Sequence, residues 1–218
     1  MATEERDVSN FHRVRMEDFG MLDITQGEQE WLTVEADEEA LKLIFTEVSD
    51  GTLILRVGRD WLERLRMGLH TSLTRPHIQY RLTVKDLTEL VIAGFGRANV
   101  GDLAAEKLAV HLSGGGDISF KALTADRLEV KLVGAGRIQT AGKAQQQEVT
   151  LSGAGKYAAG KLESQQARVT ISGAGSATVW AVQDLDVILS GMGSVEYIGS
   201  PTVKRTVSGL GSITRLGG

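Results

Sequence analysis

From residue 86 to residue 218, apolar and polar residues alternate with a period of two, and a Gly-x-Gly triplet interrupts the alternation at near-constant intervals. In KLAVHLSGGGDISF, Val110 and Leu112 before the triplet and Ile118 and Phe120 after it share one face, and polar or small residues take the other. That pattern predicts short half-buried strands on both sides of a tight corner. Seven triplets occur: Gly94-Phe95-Gly96, Gly114-Gly115-Gly116, Gly134-Ala135-Gly136, Gly153-Ala154-Gly155, Gly173-Ala174-Gly175, Gly191-Met192-Gly193 and Gly209-Leu210-Gly211. Their first glycines are 20, 20, 19, 20, 18 and 18 residues apart.

The flanks repeat as well. Apolar pairs four and two residues before the triplets include Leu90/Ile92, Val110/Leu112, Val130/Leu132, Val149/Leu151, Val169/Ile171 and Val187/Leu189, and only the seventh departs, with Arg205 before Val207. Nine residues after the first glycine stand Leu103, Leu123, Leu162 and Val182, with Lys143 as the exception. Equivalent inward positions in every unit predict a single-stranded parallel β-helix, a solenoid with rungs of about 19 residues, rather than a series of hairpins. Its core is expected at Val110, Leu112, Ile118, Val130, Leu132, Ile138, Val149, Leu151, Val169, Ile171, Val187 and Leu189. Ser113, Ser152, Ser172, Ser190 and Ser208 should form a hydroxyl ladder beside the corner.

Residues 1–85 lack the triplet but still read as strands at Phe11–Met16, Met21–Thr25, Trp31–Glu35, Leu41–Glu47 and Leu53–Val57, with turns at Gln26-Gly27 and Asp50-Gly51. Trp61–Leu69 reads as a short helix or an irregular crossing. The expected organisation is a β-rich cap or degenerate rungs over 1–85, joined to a regular solenoid over 86–218.

Composition sharpens this picture. Glycine is 26 of 218 residues, about 12% against a usual ~7%, with only 2 prolines, which suits many tight turns. Aromatics are 5%, so the core must be aliphatic. The absence of cysteine excludes disulfides and thiolate metal sites. No apolar run reaches the ~18 residues that span a bilayer. The chain opens MATEERDV, without a basic and then apolar leader. The net charge of −4 is uneven: residues 1–50 hold 14 acids and 4 bases, and residues 51–85 hold 2 acids and 7 bases. These charges read as solvated faces that pair with each other, and they lack the interleaved aromatics of a single-strand nucleic-acid binder.

With these features the chain resembles the head GIN domain family, named as a putative auto-transporter adhesin. The stretch from Glu4 to Leu55, EERDVSNFHRVRMEDFGMLDITQGEQEWLTVEADEEALKLIFTEVSDGTLIL, is similar to the opening of that family, and LSGAG and VSGLGSI resemble its serine-glycine corner. The likeness covers nearly the whole chain. It implies a right-handed β-helix that is secreted, periplasmic or lipid-anchored in the bacterial envelope. The family's corner is commonly Ser-Gly-Ser-Gly followed by Asp or Asn. Here the middle residue varies, and the follower is acidic only at Asp117, with Arg97, Arg137 and Lys156 in its place elsewhere.

Chemistry is sparse. None of the triplets extends to Gly-x-Gly-x-x-Gly or meets a Lys-Ser/Thr clamp, and there is no Gly-x-Ser-x-Gly elbow. His12, His70, His77 and His111 include no i, i+4 pair for a metal. A polysaccharide lyase or hydrolase on a β-helix would need clustered carboxylates, for which the candidates are Asp102, Asp117 and Asp126 with Lys107 and Arg127. Asp102 and Asp126 fall at similar phases near the second turn. The third position after each first glycine, Arg97, Asp117, Arg137, Lys156, Ser176, Ser194 and Ser212, should form one outward row. No catalytic, cofactor or metal residue is assigned. The expectation is a non-enzymatic cell-envelope module, adhesin-like or a binding scaffold, whose partner is a surface glycan or envelope protein and not nucleic acid, with self-association as an option. The alternatives are the polysaccharide-active enzyme and a cytosolic β-helix that meets a partner through its acidic N-terminal face.

Overall fold

The computed structural model describes residues 1–58 and 77–217; the Trp61–Leu69 segment and His70 lie outside the described residues. In chain order the first elements are β1 (Ala2–Arg6), β2 (Arg13–Met16), β3 (Met21–Gln26), β4 (Trp31–Ala36), the helical turn α1 (Glu38–Leu41), β5 (Ile44–Ser49) and β6 (Thr52–Val57). Then come β7 (Gln79–Val84) and β8 (Glu89–Gly94). Five long strands each run round most of a rung: β9 (Arg97–Gly114), β10 (Asp117–Gly134), β11 (Arg137–Gly153), β12 (Lys156–Gly173) and β13 (Ser176–Gly191). β14 (Ser194–Ile198), β15 (Thr202–Gly209) and β16 (Ser212–Arg215) follow. Together they wind into an all-β solenoid of about six turns.

Pairing between rungs is parallel, which excludes the hairpin arrangement. Val110, Val130, Val149, Val169 and Val187 stand one above another. The twelve residues expected in the core are all buried, none more than 1% exposed, while His111, Lys131 and Thr170 lie on the solvent side. The period-two pattern therefore reports the inward face correctly, because a slip of one residue would turn every apolar side chain outward.

The corner explains its own composition. At Gly134, φ is +123° and an added Cβ would sit 2.5 Å from the carbonyl oxygen of Gly114 on the rung below. Ala135 N donates to Gly114 O at 3.0 Å, and Arg137 N to Gly116 O at 3.0 Å. The corner peptides thus stack as a hydrogen-bonded ladder, and the oxygen that accepts each bond fills the space of a side chain. The middle residues Ala135, Ala154 and Ala174 point outward and are exposed, which is why that position varies. Ser113, Ser152, Ser172, Ser190 and Ser208 share one row, broken at Val133.

Differences in rung length are absorbed at the second turn, on the far side from the glycines. Register shifts fall between Phe120 and Leu123, between Gln139 and Ala141, and between Ala159 and Glu163. One expectation fails there. Val182 is 41% exposed, and Ala181, paired with Ser164, takes the inward place instead. The rung from Gly173 to Gly191 is two residues shorter than the one before it, so counting nine from the corner runs past the turn.

Among the described residues the core holds three buried polar side chains, Thr140, Gln147 and Ser164, all near the second turn. Gln147 occupies the inward row of Leu108, Leu128, Ala167 and Leu185. Tyr157 Oη donates to Gln147 Oε1 at 3.2 Å, and Gln147 Nε2 donates to Ser164 Oγ at 2.6 Å. Ser164 Oγ in turn donates to the Trp180 carbonyl at 2.7 Å. Tyr157 and Ser164 are fully buried and Gln147 is 2% exposed. Burial holds the Tyr157 hydroxyl well above its ordinary titration range.

The N-terminal segment is neither a plain cap nor a run of rungs in chain order. β2 and β3 form a rung that is threaded between later ones: β2 pairs in parallel with β6 and β8, and β3 with β7 and β9. Asp18-Phe19-Gly20 is the corner of this rung, since Phe95 N donates to Asp18 O and Arg97 N to Gly20 O, as the glycine corners do among themselves. Beyond it the stack is closed by antiparallel strands, with β5 on β6, and β4 on β7 followed by β1. At the other end, β15 and β16 carry Arg205 opposite Val187 and Arg215 opposite Tyr197. Charge at inward positions there discourages edge-to-edge pairing of strands.

Two outcomes are expected. Gly134→Ala should lower unfolding stability by about 2 kcal/mol or more, from positive φ and the blocked Cβ together, while Ala135→Ser should shift it by less than ~0.5 kcal/mol; equal effects in denaturant titrations would refute the corner account. In the unfolded chain the Tyr157 phenol ionises near pH 10, whereas the folded protein keeps it neutral to higher pH. Its contribution is complete below pH ~10 and is lost as pH rises further, because the unfolded state then releases the proton first. Tyr157→Phe should cost about 1–3 kcal/mol at neutral pH by leaving Gln147 Oε1 unpaired, and should flatten the alkaline loss of stability. Parallel alkaline profiles for the two proteins would contradict this.

Candidate functional site

Parallel stacking turns each outward position into a straight row with ~4.8 Å between rungs. The row that follows the glycine corner forms as expected: Arg97, Asp117, Arg137, Lys156, Ser176, Ser194 and Ser212 are register partners in succession. Arg97 and Asp117 make an ion pair of 3.8 Å, with side chains 57% and 51% exposed, and at that exposure it contributes no more than ~1 kcal/mol. A shallow hollow of about 200 Å³ lies over this row, lined also by Asn99, Ser119 and Gln139.

The carboxylates proposed for a polysaccharide-active enzyme do not converge. Asp102 is aligned with Ala122 and makes an ion pair of 3.2 Å with Lys121. Asp126 falls one rung above Glu106, because Ala125 pairs with Ala105 and Arg127 with Lys107. The two are therefore four positions apart in phase, not at similar phases, and Asp117, aligned with Arg97, is five positions from Asp102. Lys107 pairs with Glu106 at 3.6 Å, and Arg127 with Glu148 at 2.7 Å. The described histidines are dispersed: the His12 carbonyl accepts from Thr88 N, His77 is exposed, and His111 Nδ1 is 3.9 Å from Glu89. Among the described residues no three His, Asp or Glu side chains are grouped to hold a metal ion.

A second feature was not foreseen from the sequence: a cleft of about 340 Å³ where the second turn meets the next strand face. One wall is the row Arg127, Gln146, Gln166 and Asp184, and the other is Glu148, Arg168 and Asp186. Within the first wall, Gln146 Nε2 donates to Gln166 Oε1 and Gln166 Nε2 to Asp184 Oδ2, both at 3.3 Å. In the second wall Arg168 and Asp186 form an ion pair of 3.1 Å, and Arg127 crosses to Glu148 at 2.7 Å. The floor is Gln147 and Ala167, where neighbouring rungs place leucine. The polar network of Tyr157 and Ser164 lies beneath that floor. Its sequence signal is Gln147 and Ala167 six residues before Gly153 and Gly173, the place that Leu108, Leu128 and Leu185 hold before the neighbouring corners.

Known structures share this architecture. A putative adhesin from Bacteroides fragilis is 25% identical, with a TM-score of 0.87, covering 99% of this chain and 96% of its own. A putative lipid binding protein from Parabacteroides distasonis is 21% identical, with a TM-score of 0.78 and coverage of 99% and 96%. A putative adhesin from the same species is 18% identical, with a TM-score of 0.75 and the same coverage. These last two show likeness of fold alone. No curated protein sequence matches the chain. Residues 10–201 match the family described as "Putative auto-transporter adhesin, head GIN domain", and the chain belongs to that family.

Proposed function

We propose that the protein is a non-catalytic, adhesin-like module of the bacterial cell envelope that binds a surface ligand through its outward rows. The observation that carries the reading is the register itself: on a chain of an adhesin family, outward side chains align in straight rows over successive rungs. Such rows offer a repeated, rigid set of polar groups, which suits recognition of an extended partner. The family points to the cell surface or envelope, and a secreted, periplasmic or lipid-anchored form fits it. Among the described residues no helix is long and apolar enough to cross a membrane. The enzymatic alternative lacks support, since an acid/base pair must flank one bond and Asp102, Asp117 and Asp126 stand apart.

The test combines retention and turnover. Purified protein should be retained on bacterial envelope fractions, and neither it nor its Asp117→Asn variant should release reducing ends from uronate-containing or neutral polysaccharides. Absence of retention on every fraction would sink the adhesin-like reading, and cleavage that Asp117→Asn abolishes would replace it with an enzyme.

A further inference from the structure

We infer that the cleft beside the second turn binds an uncharged, hydroxyl-rich glycan lying along the solenoid axis; this rests on the adhesin-like reading and names the ligand that it leaves open. Every residue that lines the cleft except Ala167 ends in a guanidinium, carboxylate or amide group. These planar groups donate or accept two hydrogen bonds side by side. Neighbouring hydroxyls of a sugar ring present that arrangement. The apolar surface of the cleft comes from the methylene stems of the lining side chains and from Ala167, with no large apolar side chain to seat an acyl chain.

The charges narrow the class further. Arg127 and Arg168 are each engaged by a carboxylate, Glu148 and Asp186. Asp184 then leaves two positive and three negative groups, a net of −1 in the cleft. Uronates, sulfates, phosphates and nucleic acids are repelled, and a neutral glycan is not. Asp186 lines the cleft with Oδ2 on Arg168, and its Oδ1 is shielded from solvent without a hydrogen-bond partner.

Spacing and support point the same way. Gln146 and Gln166 repeat at the rung interval of ~4.8 Å, comparable to the length of one pyranose along a chain, so successive sugars meet equivalent amides. The floor is held rigid from below, since Gln147 is fixed by Tyr157 and Ser164. A buried polar network stabilises less than the leucines that occupy this row elsewhere. Under a cleft it acts as a positioning base: it lowers the floor and sets the planes of the groups around it.

The experiment is affinity electrophoresis of the full chain through gels holding dextran, yeast mannan, a soluble β-glucan, polygalacturonate or duplex DNA, beside retention on envelope fractions. The expected result is retardation by at least one neutral polysaccharide and by neither polyanion. Gln146→Ala with Gln166→Ala, two exposed positions, should weaken it about tenfold, as loss of two hydrogen bonds implies. Lys42→Gln, an exposed residue beside α1, should leave it within about twofold. Retardation only by polyanions, or unchanged in the double variant, overturns the inference. Retention on envelope fractions without binding to any neutral polysaccharide also overturns it while leaving the adhesin-like reading in place; loss of both overturns the two together.

Discussion

At each glycine corner a carbonyl oxygen stands where a β-carbon would have to go. The Gly114 oxygen accepts from Ala135 N and fills the side-chain space of Gly134, and the same relation recurs up the stack. Because the hydrogen bond and the exclusion come from one atom, the corner cannot slide by a residue without breaking the bond and meeting a clash. The corner is therefore the datum from which each rung is measured. Strand phase, the aliphatic ladder from Val110 to Val187 and the outward rows all depend on it.

Fixing one side of the rung leaves the other free to vary. Rungs of 18 to 20 residues meet the same corner, so the surplus or deficit is taken up at the second turn, where the register shifts occur. Irregularity is thereby confined to one edge. Beside it Gln147 and Ala167 replace leucine, the surface dips, and polar side chains of neighbouring rungs face each other across the dip. The cleft lies just past this edge, on strands whose register is unbroken from Gln146 to Gly153.

The repeated part of the fold was readable from the chain because its cause is local: a glycine pair and two residues on each side repeat the same chemistry in each unit. What escaped was set by distant partners or by accumulated length. Asp18-Phe19-Gly20 is a corner without the glycine pair, recognisable only because β8 and β9 lie against it. Val182 was misplaced because counting from the corner ignores where the turn absorbs residues, whereas Asp102 and Asp126, eight and twelve residues past their corners, keep that four-position offset in the stack. The cleft left one legible trace, Gln147 and Ala167 in an otherwise leucine row, but its walls are set by side chains that different rungs bring together. The family likeness, by contrast, lay in the corner and the opening segment, and the match over residues 10–201 bears it out.

The threaded rung bears on the order of assembly. Neighbouring rungs from β9 to β13 join residues about 20 positions apart, whereas Asn99 meets Asp23 across 76. Closing the longer loop costs on the order of 1 kcal/mol more in chain entropy, and nothing favours it until the partner strands exist. In a chain made from its N-terminus, residues 13–26 emerge before their partners and have no seat until β6, β7, β8 and β9 have all appeared. Nucleation then belongs to the later, local rungs, and the earliest residues dock late. Such an order keeps this segment from committing to the fold ahead of the strands that seat it.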